Sequence, residues 1–191
     1  MKTTVELIDI AEVRSGFNAR RRVEEAPYGA VQLLQMKDLN DAEMSTFEEL
    51  MRIDTAEAPA ERSLVHAGDI IIRTRGGSNA ATYIAAEPTL PTLPASPLLL
   101  IRVAEGGRVL PAYLAWLLNQ ADVQEQITYM ACRGTAVPLI SKKMLEKITL
   151  TIHPMEQQKQ IVQIAALSRE VQQLTHELAD TRARYVNALI R

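Results

Sequence analysis

Several residue types and patterns are scarce or missing in this chain, and each absence removes a class of chemistry. Cys132 is the only cysteine, which excludes an internal disulfide and any multi-cysteine zinc site and fits a reducing compartment. Aromatic residues are 4% of the whole, so any core is mostly aliphatic. The eight glycines never form Gly-x-Gly, so the dinucleotide fingerprint and the glycine-rich methyl-donor loop are absent. No Gly-Lys pair exists for a P-loop, and no two prolines adjoin as in the Asn/Asp-Pro-Pro-aromatic motif of amino-methyltransferases. No acidic residue stands two before a lysine, as common nuclease sites require. His66, His153 and His176 lack metal-ligand spacing.

The targeting signals are equally thin. Met1-Lys2-Thr3-Thr4-Val5-Glu6 is no apolar signal run, and the longest apolar stretch, residues 97–101, is too short to cross a bilayer. The expectation is a soluble, cytoplasmic, non-catalytic protein with no cofactor, no metal and no membrane partner. A small enzyme built on a Cys132 nucleophile is the competing reading. Against it, cysteine is among the most buried residue types and this one abuts a helix end, so it is expected inside.

What is present is a foldable chain: 47% of its 191 residues are hydrophobic. The net charge of −2 argues against a polyanionic partner until its distribution is considered. Residues 38–61 carry eight acidic side chains (Asp38, Asp41, Glu43, Glu48, Glu49, Asp54, Glu57, Glu61) against Arg52 alone. Residues 1–37 and 62–150 hold fifteen Lys/Arg against eleven Asp/Glu, enough for a basic face opposite an acidic one. The acidic block is expected as solvated surface.

Residues 5–13 suggest one short element ending at Ser15-Gly16, and residues 28–34 a strand. Residues 48–53 suggest a helix or a connector. Ile70-Ile71-Ile72 is a β-branched strand emerging at Arg73-Thr74-Arg75-Gly76-Gly77-Ser78-Asn79, and residues 82–85 and 98–103 are further strands. Pro88, Pro91, Pro94 and Pro97 imply an extended loop between them. Residues 111–129 have one helical periodicity, and residues 145–152 alternate as a strand. The fold class expected is α+β: a compact mixed domain over residues 1–152, then one long coiled-coil helix over residues 153–191.

That helix starts at Pro154 with Glu156 in its first turn. Ile164, Leu167, Val171, Leu174, Leu178, Thr181, Tyr185 and Ala188 recur in steps of three and four, a sustained heptad seam. A lone helix with one apolar stripe is unstable in water. It either folds back on its own domain or pairs with another chain, and the seam is longer than a domain face of this size covers.

Several stretches together resemble one half of a type I restriction-modification specificity subunit. Leu7-Ile8-Asp9-Ile10-Ala11-Glu12-Val13-Arg14-Ser15-Gly16 resembles the opening of such target-recognition domains. Val31-Gln32-Leu33-Leu34-Gln35-Met36-Lys37-Asp38-Leu39 resembles their first core strand, and Gly68-Asp69-Ile70-Ile71-Ile72-Arg73 their Gly-Asp strand. Pro111-Ala112-Tyr113-Leu114 is similar to the start of the later helix. Gly134-Thr135-Ala136-Val137-Pro138-Leu139-Ile140-Ser141, and then His153-Pro154-Met155-Glu156-Gln157-Gln158-Lys159-Gln160-Ile161-Val162, resemble the approach to the conserved helix. His153 stands where proline is usual, and Gln157 where glutamate is.

The resemblance implies double-stranded DNA as partner, with DNA methyltransferase (modification) and restriction subunits doing the catalysis. Full-length members carry two recognition domains and two long helices paired antiparallel. One of each implies a homodimer through Ile164, Leu167, Val171, Leu174, Leu178 and Tyr185, reading a bipartite target. Base reading falls first to Arg73, Arg75, Gly76, Gly77, Ser78 and Asn79, since arginine suits guanine, asparagine suits adenine and glycines permit close approach. The plain alternative is a solvated turn. Arg20, Arg21 and Arg22, and more weakly Lys142 and Lys143, are phosphate candidates or merely solvated charge. An interaction protein of the same fold that binds modification subunits without reading DNA remains the functional alternative.

Overall fold

The computed structural model describes residues 2–18, 24–39, 42–55, 59–75, 79–132 and 139–189. Ten strands and four α-helices follow in the order β1 (Thr3–Glu6), β2 (Ala11–Ser15), β3 (Val31–Leu34), β4 (Glu43–Met44), β5 (Met51–Ile53), β6 (Ile70–Arg73), β7 (Ala81–Ile84), β8 (Thr92–Pro94), β9 (Leu98–Val103), α1 (Pro111–Leu118), α2 (Ala121–Ala131), α3 (Lys142–Glu146), β10 (Thr149–Ile152) and α4 (Met155–Leu189). The class is α+β, as expected.

A five-stranded sheet in the order β2-β9-β6-β7-β4 forms the centre, flanked by the pair β1-β10 and the three-stranded sheet β5-β3-β8. Its two middle strands explain the unbroken apolar runs. In β6, Ile70 and Ile72 join a core beneath α1, α2 and α3, while Ile71 points into a second core with Leu34, Phe47 and Val65. In β9, Leu99 and Ile101 face the first core and Leu98 and Leu100 the second. Side chains alternate along a strand, so one covered on both faces has no polar positions.

Five expectations need correction. Residues 5–13 are two strands, because the Asp9 carboxylate accepts the Glu6 N–H at 3.0 Å and buried Leu7 sits in a single 3-10 turn between them. The chain thereby passes from the β10 pairing to the β9 pairing. Residues 48–53 are neither a helix nor a mere connector: β5 pairs with β3 through Ile53 and Val31. The proline-rich stretch contains β8, parallel to β3 on a sheet edge, where a proline is tolerated.

Residues 111–129 form two helices. At the break, Asn119 accepts the Ala81 N–H and donates to the Ala81 carbonyl, both at 2.8 Å. An amide thus replaces a strand at the start of β7 and holds the helix end on the sheet. The segment expected as one strand over residues 145–152 contains the end of α3 as well as β10.

Two glycines have identifiable backbone reasons. Gly68 has φ +91°, a conformation L side chains rarely adopt. At Gly16 an added Cβ would lie 2.7 Å from the Pro94 carbonyl oxygen, so β2 leaves the sheet against the backbone of residues 94–95.

Candidate nucleic-acid interface and pairing helix

β2 and β6 lie on either side of β9, both antiparallel to it, so both end beside its first residue. Arg73 is opposite Leu98, and Gly16 donates to the Leu98 carbonyl at 2.9 Å. The two exits are therefore two strand spacings apart, roughly 10 Å. Thr74 donates twice to the Pro97 carbonyl, from its backbone at 3.0 Å and its hydroxyl at 2.8 Å. Ile140 donates to the Thr74 carbonyl at 2.8 Å, which draws the lead into α3 to the same end.

The structure thus brings together the half-buried Arg73, the exposed Arg75 and the start of α3 with exposed Lys142 and Lys143. Asn79 is on the return arm of the β6–β7 hairpin, where its backbone carbonyl accepts from Gln124 at 3.3 Å. Gly76, Gly77 and Ser78, like Arg20, Arg21 and Arg22, lie outside the described residues. Lys142 is 3.6 Å from Glu146, a surface pair of little energetic weight. Phe17, Asn18, Gln35, Lys37 and Ser96 line a cavity of about 460 Å³ at this end. Sequence reading missed these residues, which come from three separate segments with no common motif.

The opposite end of the sheet is polar in a different way. Asp69 is buried and accepts two bonds from Arg102, from Nε at 2.7 Å and Nη2 at 2.6 Å, while Nη2 also donates to the Leu64 carbonyl at 2.8 Å. That pairing raises the Arg102 pKa further. The same carboxylate accepts the His66 N–H at 2.8 Å, closing the turn that Gly68 makes. The Gly-Asp motif is therefore a structural clasp. Glu87 accepts from Ala67 at 2.7 Å and lies 2.8 Å from the His66 ring; the Ala67 bond first, then His66, hold its carboxyl below the usual range.

Glu43, in the acidic block, is also at this end, opposite Tyr83 on β7. Three residues of β6 separate it from Arg73, about 10 Å along the strand. Glu48, Glu49, Asp54 and Glu61 are exposed as expected, whereas Asp38 is half-buried and accepts the Gln35 N–H at 2.8 Å.

Cys132 caps the end of α2 and is exposed, not buried. The buried face of α2 is Val123, Ile127 and Ala131, and the next residue turns away from it. The three histidines are engaged elsewhere: His66 with Glu61 and Glu87, His153 with Tyr113, and His176 with Asp180. Among the described residues no group of three or more His, Cys, Asp or Glu could hold a metal, and no helix is long and apolar enough to cross a membrane.

The long helix begins at Met155, with Pro154 just before it accepting the Gln158 N–H at 3.0 Å. Its root is locked by Gln158, fully buried, which accepts from Leu110 at 2.9 Å and donates to the Arg108 and His153 carbonyls at 2.8 Å each. Tyr113, also buried, places its hydroxyl 2.7 Å from His153 Nδ1. Ile161 and Val162 pack on the first core, and Arg169 reaches Glu43 at 2.5 Å. Beyond Arg169 every residue of α4 whose side chain is described is exposed. Ile164, Leu167, Val171, Leu174, Leu178 and Tyr185 are 50–67% exposed, so the seam is uncovered within its own chain.

A family profile described as the type I restriction modification DNA specificity domain matches residues 2–177. The chain belongs to that family. No curated protein matches it. Among solved structures, a chain from work on complex assembly and conformational transition of the type I R-M system aligns over 96% of this chain and 42% of its own length, with 18% identity and a TM-score of 0.69. The HsdS subunit of Thermoanaerobacter tengcongensis aligns over 91% and 38%, with 18% identity and a TM-score of 0.61. The type I S subunit of M. genitalium aligns over 94% and 42%, with 16% identity and a TM-score of 0.57. At these identities the likeness is one of fold, and this chain spans about two-fifths of each structure's length. Within the stretches that resemble the specificity family, Gly16, Gly68, Asp69 and Gln158 thus have local structural reasons.

Proposed function

We propose that this chain is a sequence-specific DNA-recognition component of a type I restriction-modification system, non-catalytic itself, with residues 1–152 as reading head and residues 153–191 as pairing helix. Two copies join through Ile164, Leu167, Val171, Leu174, Leu178 and Tyr185 and present two heads to a bipartite duplex target. Separate methyltransferase and endonuclease subunits then act where the dimer sits. The observation that carries this reading is the uncovered seam on a body whose own core is closed. A 35-residue helix rises about 52 Å, which holds two heads at a set separation. Two-fold symmetry in the protein calls for inverted half-sites in the DNA.

Within each head, the segment from Arg73 to Asn79 between β6 and β7 reads base edges, helped by Asn18 and Lys37 at the neighbouring cavity. Selection of bound duplexes from a random library tests this. The expected product is one interrupted inverted sequence, with affinity falling steeply as salt rises. Arg73→Ala and Arg75→Ala are each expected to relax discrimination by about 1–3 kcal/mol, the worth of one bidentate arginine–base pairing. Unchanged target preference in both would move the readout elsewhere.

One observation favours a second reading: Glu43, Glu48 and Glu49 line an acidic hollow of about 620 Å³ near the root of α4, and the chain is net negative. An interaction protein that docks on modification subunits without reading DNA would use such a face. It predicts tight methyltransferase association with no duplex enriched at any salt concentration.

A further inference from the structure

Past Val162 the long helix touches its own body through very little. Among the described residues only Ala165 and Arg169 are half-buried there, and the rest of α4 is exposed. Ala165 has no side-chain group to bond with. Arg169 therefore supplies the last directed contact, its Nη2 donating to Glu43 Oε2 at 2.5 Å. Open space lies on both sides of that bond. Toward the root, a groove of about 680 Å³ is walled by Trp116 and Ile161. Toward the far end, a cleft of about 840 Å³ is walled by Ser45, Glu170 and His176. Glu43 and Arg169 line both cavities, so their pair is a strut across a gap. Its carboxylate end is fixed. Glu43 is opposite Tyr83 on β7, between two backbone bonds of 2.8 Å, from Tyr83 to the Ala42 carbonyl and from Ala85 to the Met44 carbonyl.

We infer that the Glu43–Arg169 strut sets the angle between reading head and pairing helix, and through it the gap between half-sites that the dimer accepts; this rests on the DNA-reading homodimer proposed above. Arg169 and Glu43 are then positioning residues, outside both the seam and the segment that reads bases.

Leverage makes one contact matter. The root at Gln158, Ile161 and Val162 is the pivot. From Gln158 the helix rises about 16 Å to Arg169 and about 27 Å to the middle of the seam, between Leu174 and Leu178. Exchanging the direct contact for one bridged by a water opens the strut by about 2.8 Å. The lever turns that opening into about 5 Å at the seam. Each copy adds its own swing, so the two heads shift by up to about 9 Å, more than two base-pair steps of about 3.4 Å. Arg169 and Glu43 are 40% and 37% exposed, and surface pairs add little to stability. A bias of that size still favours the closed angle by up to about fivefold. It sharpens a gap preference and leaves the unfolding midpoint where it is.

Two measurements on the full chain test this. In the first, duplexes carrying the selected half-sites at a series of gaps are ranked by affinity. Arg169→Met is expected to lessen the penalty for a gap one base pair longer or shorter by about fivefold, with half-site sequence and unfolding midpoint unchanged. Glu43→Arg, which sets like charges face to face, is expected to do the same. The double variant Glu43→Arg/Arg169→Glu restores an opposite-charge pair and is expected to bring the penalty back. In the second, a nitroxide at Glu125→Cys on exposed α2, in a Cys132→Ser background, reports the separation of the two heads without DNA. Its distance distribution is expected to broaden by several ångströms in Arg169→Met and to narrow again in the charge-swapped pair. An unchanged gap penalty or an unchanged distance distribution in Arg169→Met would overturn the inference while leaving the homodimer intact. Broadening that the charge swap does not reverse would overturn it too, since the effect would then belong to something other than the pair. A monomer at all concentrations, or no interrupted sequence enriched by the unsubstituted chain, would remove the proposed function and the inference with it.

Discussion

Residues 155–169 and residues 170–189 belong to one unbroken helix, yet only the first part is covered by its own chain. In the root, Gln158 is buried with three hydrogen bonds, Ile161 and Val162 join a core, and Arg169 meets Glu43. In the far part, Val171, Leu174, Leu178 and Tyr185 lie on the surface. The difference shows that direction and stability come from separate sources. Polar clasps at the root set where the helix points. Its outer turns are a single apolar stripe left in water among the described residues, and such a stripe alone adds little to helix stability.

The comparison breaks most sharply at Leu174. Leu174→Asp puts a carboxylate into the middle of the proposed seam. Dimer dissociation is expected to rise more than about a hundredfold, roughly 3 kcal/mol, with melting of the body unchanged. Sedimentation of an intact dimer would show that the far half is not the pairing surface. At the root the expected effect is smaller and of the opposite kind. Gln158→Ala leaves the Leu110 N–H and the Arg108 and His153 carbonyls without their side-chain partner, at about 1–3 kcal/mol for a buried polar group left unsatisfied. Urea unfolding should register that loss, and hydrogen exchange should rise in the first turns of α4. A midpoint matching the unsubstituted chain would mean that packing, not the Gln158 clasp, fixes the root.

These same elements mark how far the sequence can be read. The runs Ile70-Ile71-Ile72 and Leu98-Leu99-Leu100 were legible as strands because both faces of β6 and β9 are buried. The seam of α4 was legible because a heptad needs no knowledge of its partner. β5 and β8 were not, because each is three residues long and owes its form to β3 between them. The break between α1 and α2 was hidden as well, since it depends on Asn119 finding Ala81 in a strand 38 positions away. At the end proposed for base reading, Arg73 and Arg75 stood out by composition. Asn18, Lys37 and Ser96 did not, because only the sheet topology gathers them. Cys132 shows the limit of residue-type averages: its place on α2, one step past the buried face, decided its exposure.

Between the two halves of α4 and the body sits His153, and its protonation supplies the finest test of the root. Its Nδ1 lies 2.7 Å from the Tyr113 hydroxyl, and a neutral ring with the proton on Nε2 accepts the hydroxyl hydrogen there. Burial first, and the nearby Lys2 charge second, hold its pKa below the ordinary 6.5. An unfolded chain takes up the proton at the ordinary value and the folded chain only lower. Between those two values the unfolded state therefore binds more protons, and stability rises with pH. The His153 contribution is expected to be complete above about pH 6.5 and to fade as pH falls through the folded value. Glu87 and Glu12, both held below the usual carboxylate range, lose their contributions only in stronger acid. His153→Gln keeps an acceptor toward Tyr113 but cannot titrate in this range. The difference in unfolding midpoint between the two proteins should therefore shift against the histidine form as pH is lowered from 7.5 to 5.5. Parallel midpoints across that interval would mean that the ring does not sense the closure of the root.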